Sequence, residues 1–216
     1  MLNDGPSRKE YRQAELGPAH WAIVNLLKPG SKVLEVGCAT GHVTQHLKKE
    51  MGCRVTAVEI DAAQARDAEP FADRLIVGDI ECPEVWNELE RDYDAVVFAD
   101  VLEHLRDPWQ ALRRSNDVLK NDGRVLASIP NIAYYRVRLQ LMLGQFEYSD
   151  FGILDNTHLR FFEANTTRRL FECSGWRVGK FIRIFRNTRI GILNSVFPNA
   201  MAYQFVVEAA KETQNA

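Results

Sequence analysis

A chain of 216 residues, 46% apolar and 10% aromatic, is long enough to close one substantial core, so a single domain is the default reading. A net charge of -2 and a pI near 6.2 remove the general electrostatic ground for nucleic-acid binding, and a small-molecule partner is expected instead. Cys38, Cys53, Cys82 and Cys173 form no CxxC pair, which excludes a zinc ribbon or thioredoxin-like motif and fits a reducing compartment; no metal is expected.

The opening "MLNDGPSRKEYRQ" is polar where a secretory signal would be apolar, and residues 1–17 are expected to be loose. No apolar run approaches the ~20 residues that cross a bilayer, so no membrane span and a cytoplasmic location are expected. "PAHWAIVNLL" then shows helical spacing and stops at Pro29-Gly30. "KVLEVG" reads as a short buried strand entering a glycine turn. Strands follow in "RVTAVEID", "RLIVGDI", "YDAVVFAD" and "GRVLASIP", with helices in "AAQARDA", "VLEHL" and "PWQALRRSNDVL". This alternation predicts a doubly wound α/β sheet, with ligands beyond the carboxyl ends of the strands. Residues 131–160 read as a helical cap or insert, apolar over most of the span from Ile132 to Leu143. "NTTRRLFECSGW" reads as a helix with Asn165 as N-cap and Gly175 after its end. "RVGKFIRIF" and "AYQFVVEAA" then pair antiparallel across a loop of about a dozen residues. One domain over 18–208 with a loose tail at 209–216 is expected.

The glycine turn decides among three ligand classes. A P-loop needs GxxxxGK[ST], and no Lys-Ser or Lys-Thr follows Gly41. A dinucleotide fingerprint starting at Gly37 needs glycines where Ala39 and His42 stand, which weakens an oxidoreductase reading. What the chain has is E-x-G-x-x-x-G, Glu35 to Gly41, with further acids at later strand ends: Glu59, Asp79 and Asp100. In that order and spacing they resemble the class I S-adenosylmethionine-dependent methyltransferases over about residues 18 to 208. The resemblance implies a seven-stranded Rossmann-like sheet with the last strand antiparallel, and S-adenosyl-L-methionine as cofactor. That cofactor is a net cation, so an acidic pocket suits it.

What the resemblance implies for each position can be stated. Gly37 and Gly41, with Cys38 between them, would let the backbone approach the methionyl end. Glu35 would lie near that end, and Glu59 would accept from both ribose hydroxyls, with Ile60 beside it. Asp79 would meet the adenine amine and Ile80 the ring edge. Ala99 and Asp100 would face the methionine amino group and the donor methyl. Asp61 competes with Glu59 for the ribose but is better read as the cap of the next helix.

"EYSDFGILDNTHLRFFEANTTRRLFECSGW" is the second informative stretch. Its "THLRFF" resembles a branch of the same methyltransferases associated with glycan and polysaccharide pathways. That resemblance implies O-methylation of a sugar or glycan hydroxyl by in-line displacement. His158 is the expected proton acceptor and His104 in "LEHL" its rival. A quinone-type or phenolic acceptor and a non-catalytic cofactor-binding module are the alternatives. Phe98, Tyr134 and Tyr135 are candidates for a ring face near the sulfonium, with core burial the plainer role for Phe98. The cap helix would cover the acceptor or mediate a homodimer. Arg160, Arg168, Arg169, Arg183, Arg186 and Arg189 would attract a nucleotide sugar or form a solvated face, and the latter is preferred.

Overall fold

In "KVLEV" the side chains alternate between two covered faces, and that alternation organises the molecule. The computed structural model describes residues 16–186 and 191–212. Its strands are β1 (Lys32–Val36), β2 (Arg54–Glu59), β3 (Arg74–Val77), β4 (Tyr93–Ala99), β5 (Leu119–Pro130), β6 (Trp176–Ile184) and β7 (Gln204–Lys211). They form one seven-stranded sheet in the order β3-β2-β1-β4-β5-β7-β6, parallel except for β7, which runs antiparallel to both β5 and β6. The strand order reverses between β1 and β4, the place where such sheets open a crevice at their carboxyl ends.

The helices are α1 (Pro18–Val24), α2 (His42–Lys49), α3 (Ala62–Ala68), α4 (Pro83–Glu88), α5 (Pro108–Val118), α6 (Tyr135–Met142), α7 (Ala164–Glu172), α8 (Gly191–Val196) and α9 (Pro198–Met201). On one side of the sheet Val33, Val55, Ala95, Val97, Leu126 and Val206 pack with Ile23 of α1 and Val43 and Leu47 of α2. On the other, Leu34, Val36, Val58, Val96, Phe98 and Val125 pack with Trp86, Leu112 and Phe171 from α4, α5 and α7. A strand's side-chain period of two therefore puts Glu35 on the α1/α2 side with Val33. The same argument sends Ser128 and Gln204 to that side, with Leu126 and Val206.

Four details depart from the sequence expectations. Asn165 is not the cap of α7. Glu163 is, because its carboxylate accepts from the amides of Asn165 (2.9 Å) and Thr166 (2.8 Å) while Thr166 Oγ1 accepts from the Glu163 amide (2.8 Å). Residues 209–211 are not tail but strand, since Lys211 pairs with Trp176 and its Nζ donates to the carbonyls of Asn116 and Leu119. The segment before β7 carries α8 and α9 where a plain loop was expected. "VLEHL" makes only a 3-10 turn over Leu102–His104. Among the described residues no helix is long and apolar enough to cross a membrane.

Because Glu163 and Thr166 satisfy each other's end of α7, Glu163→Ala should lower stability by about 1 kcal/mol in urea unfolding, whereas Asn165→Ala should change it by under about 0.5 kcal/mol.

Candidate active site

The turn after β1 is closed mainly by the chain itself. Gly37 has φ +70° and Gly41 φ +83°, and the amides of Gly37 (2.8 Å) and Cys38 (3.3 Å) both donate to the Val58 carbonyl. A Cβ at Gly37 would lie 2.5 Å from Val101 Cγ2, and one at Gly41 2.9 Å from Ala68 Cα. The glycines are thus required by backbone conformation and by packing against Val101 and α3. Cys38 is buried, its Sγ 3.8 Å from the Ala39 carbonyl, and burial pushes its thiol far up, so it is an inert wall. Between the glycines, Ala39 is held at φ +48°, a conformation costing a non-glycine residue ~1–2 kcal/mol. Its amide donates to Glu59 Oε2 at 2.8 Å, which ties the turn to the end of β2.

The acids gather at the carboxyl ends of adjacent strands. Glu59 is buried and accepts from the amides of Ala39 on one oxygen and Asp61 (2.9 Å) on the other, which leaves further lone pairs on both. Asp61 caps α3 through the amides of Ala63 and Gln64, as the sequence suggested. Ile60, beside them, is 66% exposed, an apolar surface a flat base could cover, while Ile80 is buried with its carbonyl accepting from Trp86 Nε1 (2.6 Å). Asp79 uses one oxygen for the Glu81 amide (2.8 Å). Glu35 is buried on the α1/α2 side and accepts from Thr44 Oγ1 at 2.7 Å. Burial pushes its carboxyl up to about 7, against the opposing pull of that hydrogen bond and of the His20 charge.

Asp100, following Ala99 at the tip of β4, is also left-handed at φ +57°. Its amide donates to Ser128 Oγ (3.0 Å), whose hydroxyl donates back to Oδ1 (2.7 Å); Gln204 Nε2 donates to the same oxygen. His20 Nε2 stands 3.6 Å from Oδ2. Burial alone would raise the Asp100 carboxyl, yet His20, Ser128 and Gln204 together bring it below the usual range. Burial would lower the His20 imidazole, yet the Asp100 hydrogen bond and charge, with Glu35, raise it. Left-handed non-glycine residues at two strand ends of one sheet are the kind of strain that functional sites hold.

His20, Ser128 and Gln204 were not singled out from the sequence. Each lies in an element legible only as packing, and what brings them to Asp100 is the β4-β5-β7 register, with Ala99 opposite Ser128 and Pro130 opposite Gln204. The period-two alternation could have flagged the polar residues at 128 and 204 as exceptions in otherwise apolar strand faces.

A second group lies just beyond Asp100. His104 and His158, far apart in sequence, meet edge to face with ring centroids 4.7 Å apart. His158 Nδ1 lies 3.1 Å from the Ile153 carbonyl, and burial, then the neighbouring His104, hold its imidazole below the ordinary value. Beside them Glu103, missed from sequence, is 1% exposed; burial and then the charge of Asp100 push its carboxyl well above the usual range. Of the rings proposed to face the cofactor, Phe98 is fully buried in the core, while Tyr134 is packed against Tyr135 and Tyr203. Arg168 and Arg183 stack on Phe181, Arg186 on Tyr203 and Arg160 on Trp109; Arg189 lies outside the described residues.

Among the described residues His20 is the cation that acts on Glu35, and the buried carboxyl makes folding depend on pH. A folded value of about 7 against an ordinary 4.5 means the folded state holds the extra proton between those limits, so its contribution to stability is lost as pH rises through them. Glu35→Gln should remove that slope, so its stability relative to the parent should gain by about 3 kcal/mol between pH 4.5 and 8 in ligand-free denaturant unfolding.

The arrangement is acidic where a phosphate site would be basic, and it combines spare acceptor capacity on Glu59 and Asp79 with a protonatable buried Glu35. That set of acceptors fits a ligand carrying hydroxyls, an amine and a positive charge, as S-adenosylmethionine does. The ubiquinone biosynthesis O-methyltransferase of Xanthomonas axonopodis pv. citri (strain 306) is 29% identical over 130 residues, 58% of this chain and 50% of that protein. The chain therefore spans about half the length of that curated relative. Among solved structures, a S-adenosylmethionine-dependent methyltransferase from Archaeoglobus fulgidus superposes with a TM-score of 0.63 at 18% identity, covering 94% of this chain and 97% of that one. The magnesium protoporphyrin IX methyltransferase of Synechocystis PCC 6803, solved with S-adenosylhomocysteine bound, gives 0.61 at 16% identity, covering 89% and 80%. Residues 8–180 match the methyltransferase-domain family; the chain belongs to that family, with S-adenosylmethionine as its cofactor.

Proposed function

We propose that this protein methylates a hydroxyl oxygen of a small-molecule acceptor, and that the acceptor is a phenolic or quinone-precursor ring. The observation that carries the reading is the His104–His158 pair lying within reach of the Asp100 charge at the acidic strand ends, which supports a proton acceptor there. When bound, S-adenosylmethionine supplies a methyl group on a sulfonium, open to in-line displacement. Glu59 and Asp79 hold the nucleoside end through hydroxyl and amine hydrogens, and Asp100 with Glu35 receives the amino-acid end. His158, kept neutral by burial and by His104, takes the acceptor's proton at Nε2, help of a kind that typically adds ~10² to 10⁴-fold. Holding the acceptor in line contributes more, ~7 to 11 kcal/mol of barrier.

The acceptor's shape is suggested by what leads to the pair. Phe161 lies 6.2 Å from the His158 ring, Phe146 6.4 Å from Phe161, and Tyr148 5.3 Å from Phe146, all centroid to centroid. All three rings are partly exposed, and Leu139, Leu141 and Met142 of α6 add exposed apolar surface. Apolar ring faces suit a flat aromatic acceptor, in line with the quinone pathway named for the Xanthomonas relative. A sugar or nucleotide sugar is the second reading, carried by the "THLRFF" segment. The arginines do not favour it, since Arg168, Arg183 and Arg186 already cover rings.

Release of S-adenosylhomocysteine should be measured against dihydroxybenzoates with long alkyl substituents, free sugars and nucleotide sugars. Turnover with the phenols and none with the sugars is expected; the reverse would reassign the acceptor, and cofactor binding without turnover on any panel member would make the protein a binding module. Glu59→Ala should weaken S-adenosylhomocysteine binding by ~10- to 100-fold in calorimetry, the effect of losing a charged acceptor.

A further inference from the structure

Glu103 is a buried acid without the partners such a group needs. Neither carboxylate oxygen has a hydrogen-bond partner among the described residues, and the nearest basic atom is His158 Nε2, 4.0 Å from Oε1. An unpaired carboxylate so placed costs several kcal/mol unless it is neutralised or liganded. The two histidines beside it are oriented in the manner of metal ligands. His158 Nδ1 lies 3.1 Å from the Ile153 carbonyl, and His104 Nδ1 lies 3.3 Å from the Thr157 carbonyl. A carbonyl only accepts, so each Nδ1 carries the hydrogen and each Nε2 keeps a free lone pair. Thr157 Oγ1 reinforces this: it donates to Asp155 Oδ1 (2.6 Å) and so accepts from His104 Nδ1 (3.2 Å). One ligand atom from each of Glu103, His104 and His158 lies within 4.8 Å of the other two.

We infer that Glu103, His104 and His158 bind a divalent transition-metal ion, through which the acceptor hydroxyl is held and acidified. Two imidazole nitrogens and one carboxylate oxygen suit Zn2+, Co2+ or Mn2+ better than Mg2+ or Ca2+. Bonds of ~2.0–2.1 Å put tetrahedral ligand atoms about 3.3 Å apart, so the three groups need to close by roughly 1 Å. Three protein ligands leave at least one coordination position open, and an acceptor with two adjacent oxygens, such as a catechol, can chelate there.

The inference rests on the acceptor site proposed above: in the metal-free chain His158 Nε2 takes the acceptor's proton itself, and with the ion bound that lone pair is a ligand and the ion acidifies the hydroxyl instead. The acceptor O–H, bound to the cation, loses its proton to solvent. Its oxygen then forms the bond to the methyl carbon while the carbon–sulfur bond breaks, the electron pair staying on sulfur as a neutral thioether. The sequence shows no metal motif because only Glu103 and His104 are adjacent; His158 arrives from an irregular segment, anchored where the amides of Leu159 and Arg160 donate to the Glu103 carbonyl (both 2.9 Å).

The test uses the full chain freed of metal with EDTA and titrated with CoCl2. One equivalent should bind with visible ligand-field absorption and no thiolate charge-transfer band, which separates this site from the exposed thiols of Cys82 and Cys173. Glu103→Gln and His158→Gln should each weaken CoCl2 binding by ~10-fold or more, and Thr157→Val, acting through His104, should weaken it to a lesser extent. ZnCl2 should displace the cobalt. S-adenosylhomocysteine binding to Glu103→Gln should match the parent, which shows that the variant is folded. No stoichiometric binding, binding insensitive to all three substitutions, or a thiolate band would overturn the site. Full methyl-transfer rate in the EDTA-treated protein would overturn its role in the reaction while leaving the proposed function standing. Loss of S-adenosylhomocysteine binding in the parent would instead remove the proposed function without touching the cobalt result.

Discussion

Burying a carboxylate is costly unless N–H groups, hydroxyls or a cation meet it, and this sheet brings Glu35, Glu59, Asp79 and Asp100 to the carboxyl ends of four adjacent strands. Glu59 is met by two backbone amides, Asp79 by one, and Asp100 by Ser128, Gln204 and His20. Glu35 has one hydroxyl and is pushed to about 7. The accounts of the four acids differ, and the difference sorts their roles. Those anchored to backbone are preorganised acceptors; Glu35, pushed up to about 7, keeps its proton to a higher pH than an ordinary carboxyl.

The same economy explains the strained turn. Ala39 in a left-handed conformation is stabilised by the hydrogen bond its amide makes to Glu59, and Glu59 in turn is kept in place by it. Gly37 and Gly41 then let Val101 and Ala68 close against the turn from two sides. The turn is thus a set of mutually supporting contacts with β2, Val101 and α3, formed without a ligand, and a preformed site lowers the ordering cost of binding.

Beyond Asp100 the chain changes character. Apart from α6 the segment between β5 and α7 has little regular structure, and Tyr134, Val137, Ile153 and Leu154 form a small cluster of their own with Ile132, Tyr135 and Tyr203 beside it. This small satellite core positions the stretch that carries His158 over the turn that carries Glu103 and His104. The acidic strand ends are therefore built from the sheet, while the proposed acceptor site is built from an insert. That division lets one fold serve many acceptors by changing one segment.

The strands, their parallel order, the antiparallel β7, the acids at their tips and the cap on α3 could all be read from local pattern, because period-two alternation and turn residues are near-neighbour effects. The cap of α7 was misread because two polar residues, Glu163 and Asn165, compete for the position and only side-chain geometry decides between them. His20 and Glu103 were invisible as site residues, and Ser128 and Gln204 showed only as polar exceptions in apolar strand faces. Their meeting depends on strand register and on an irregular segment folding back over the 3-10 turn, contacts between residues up to 104 apart that no window of sequence contains. By itself the sequence determined the sheet, its chemistry at the strand ends and the cofactor class those acids suit. Which histidines share a site, what partners each acid has and where an unpaired carboxylate is trapped were decided only by tertiary packing, because burial and neutralisation are properties of the assembled interior.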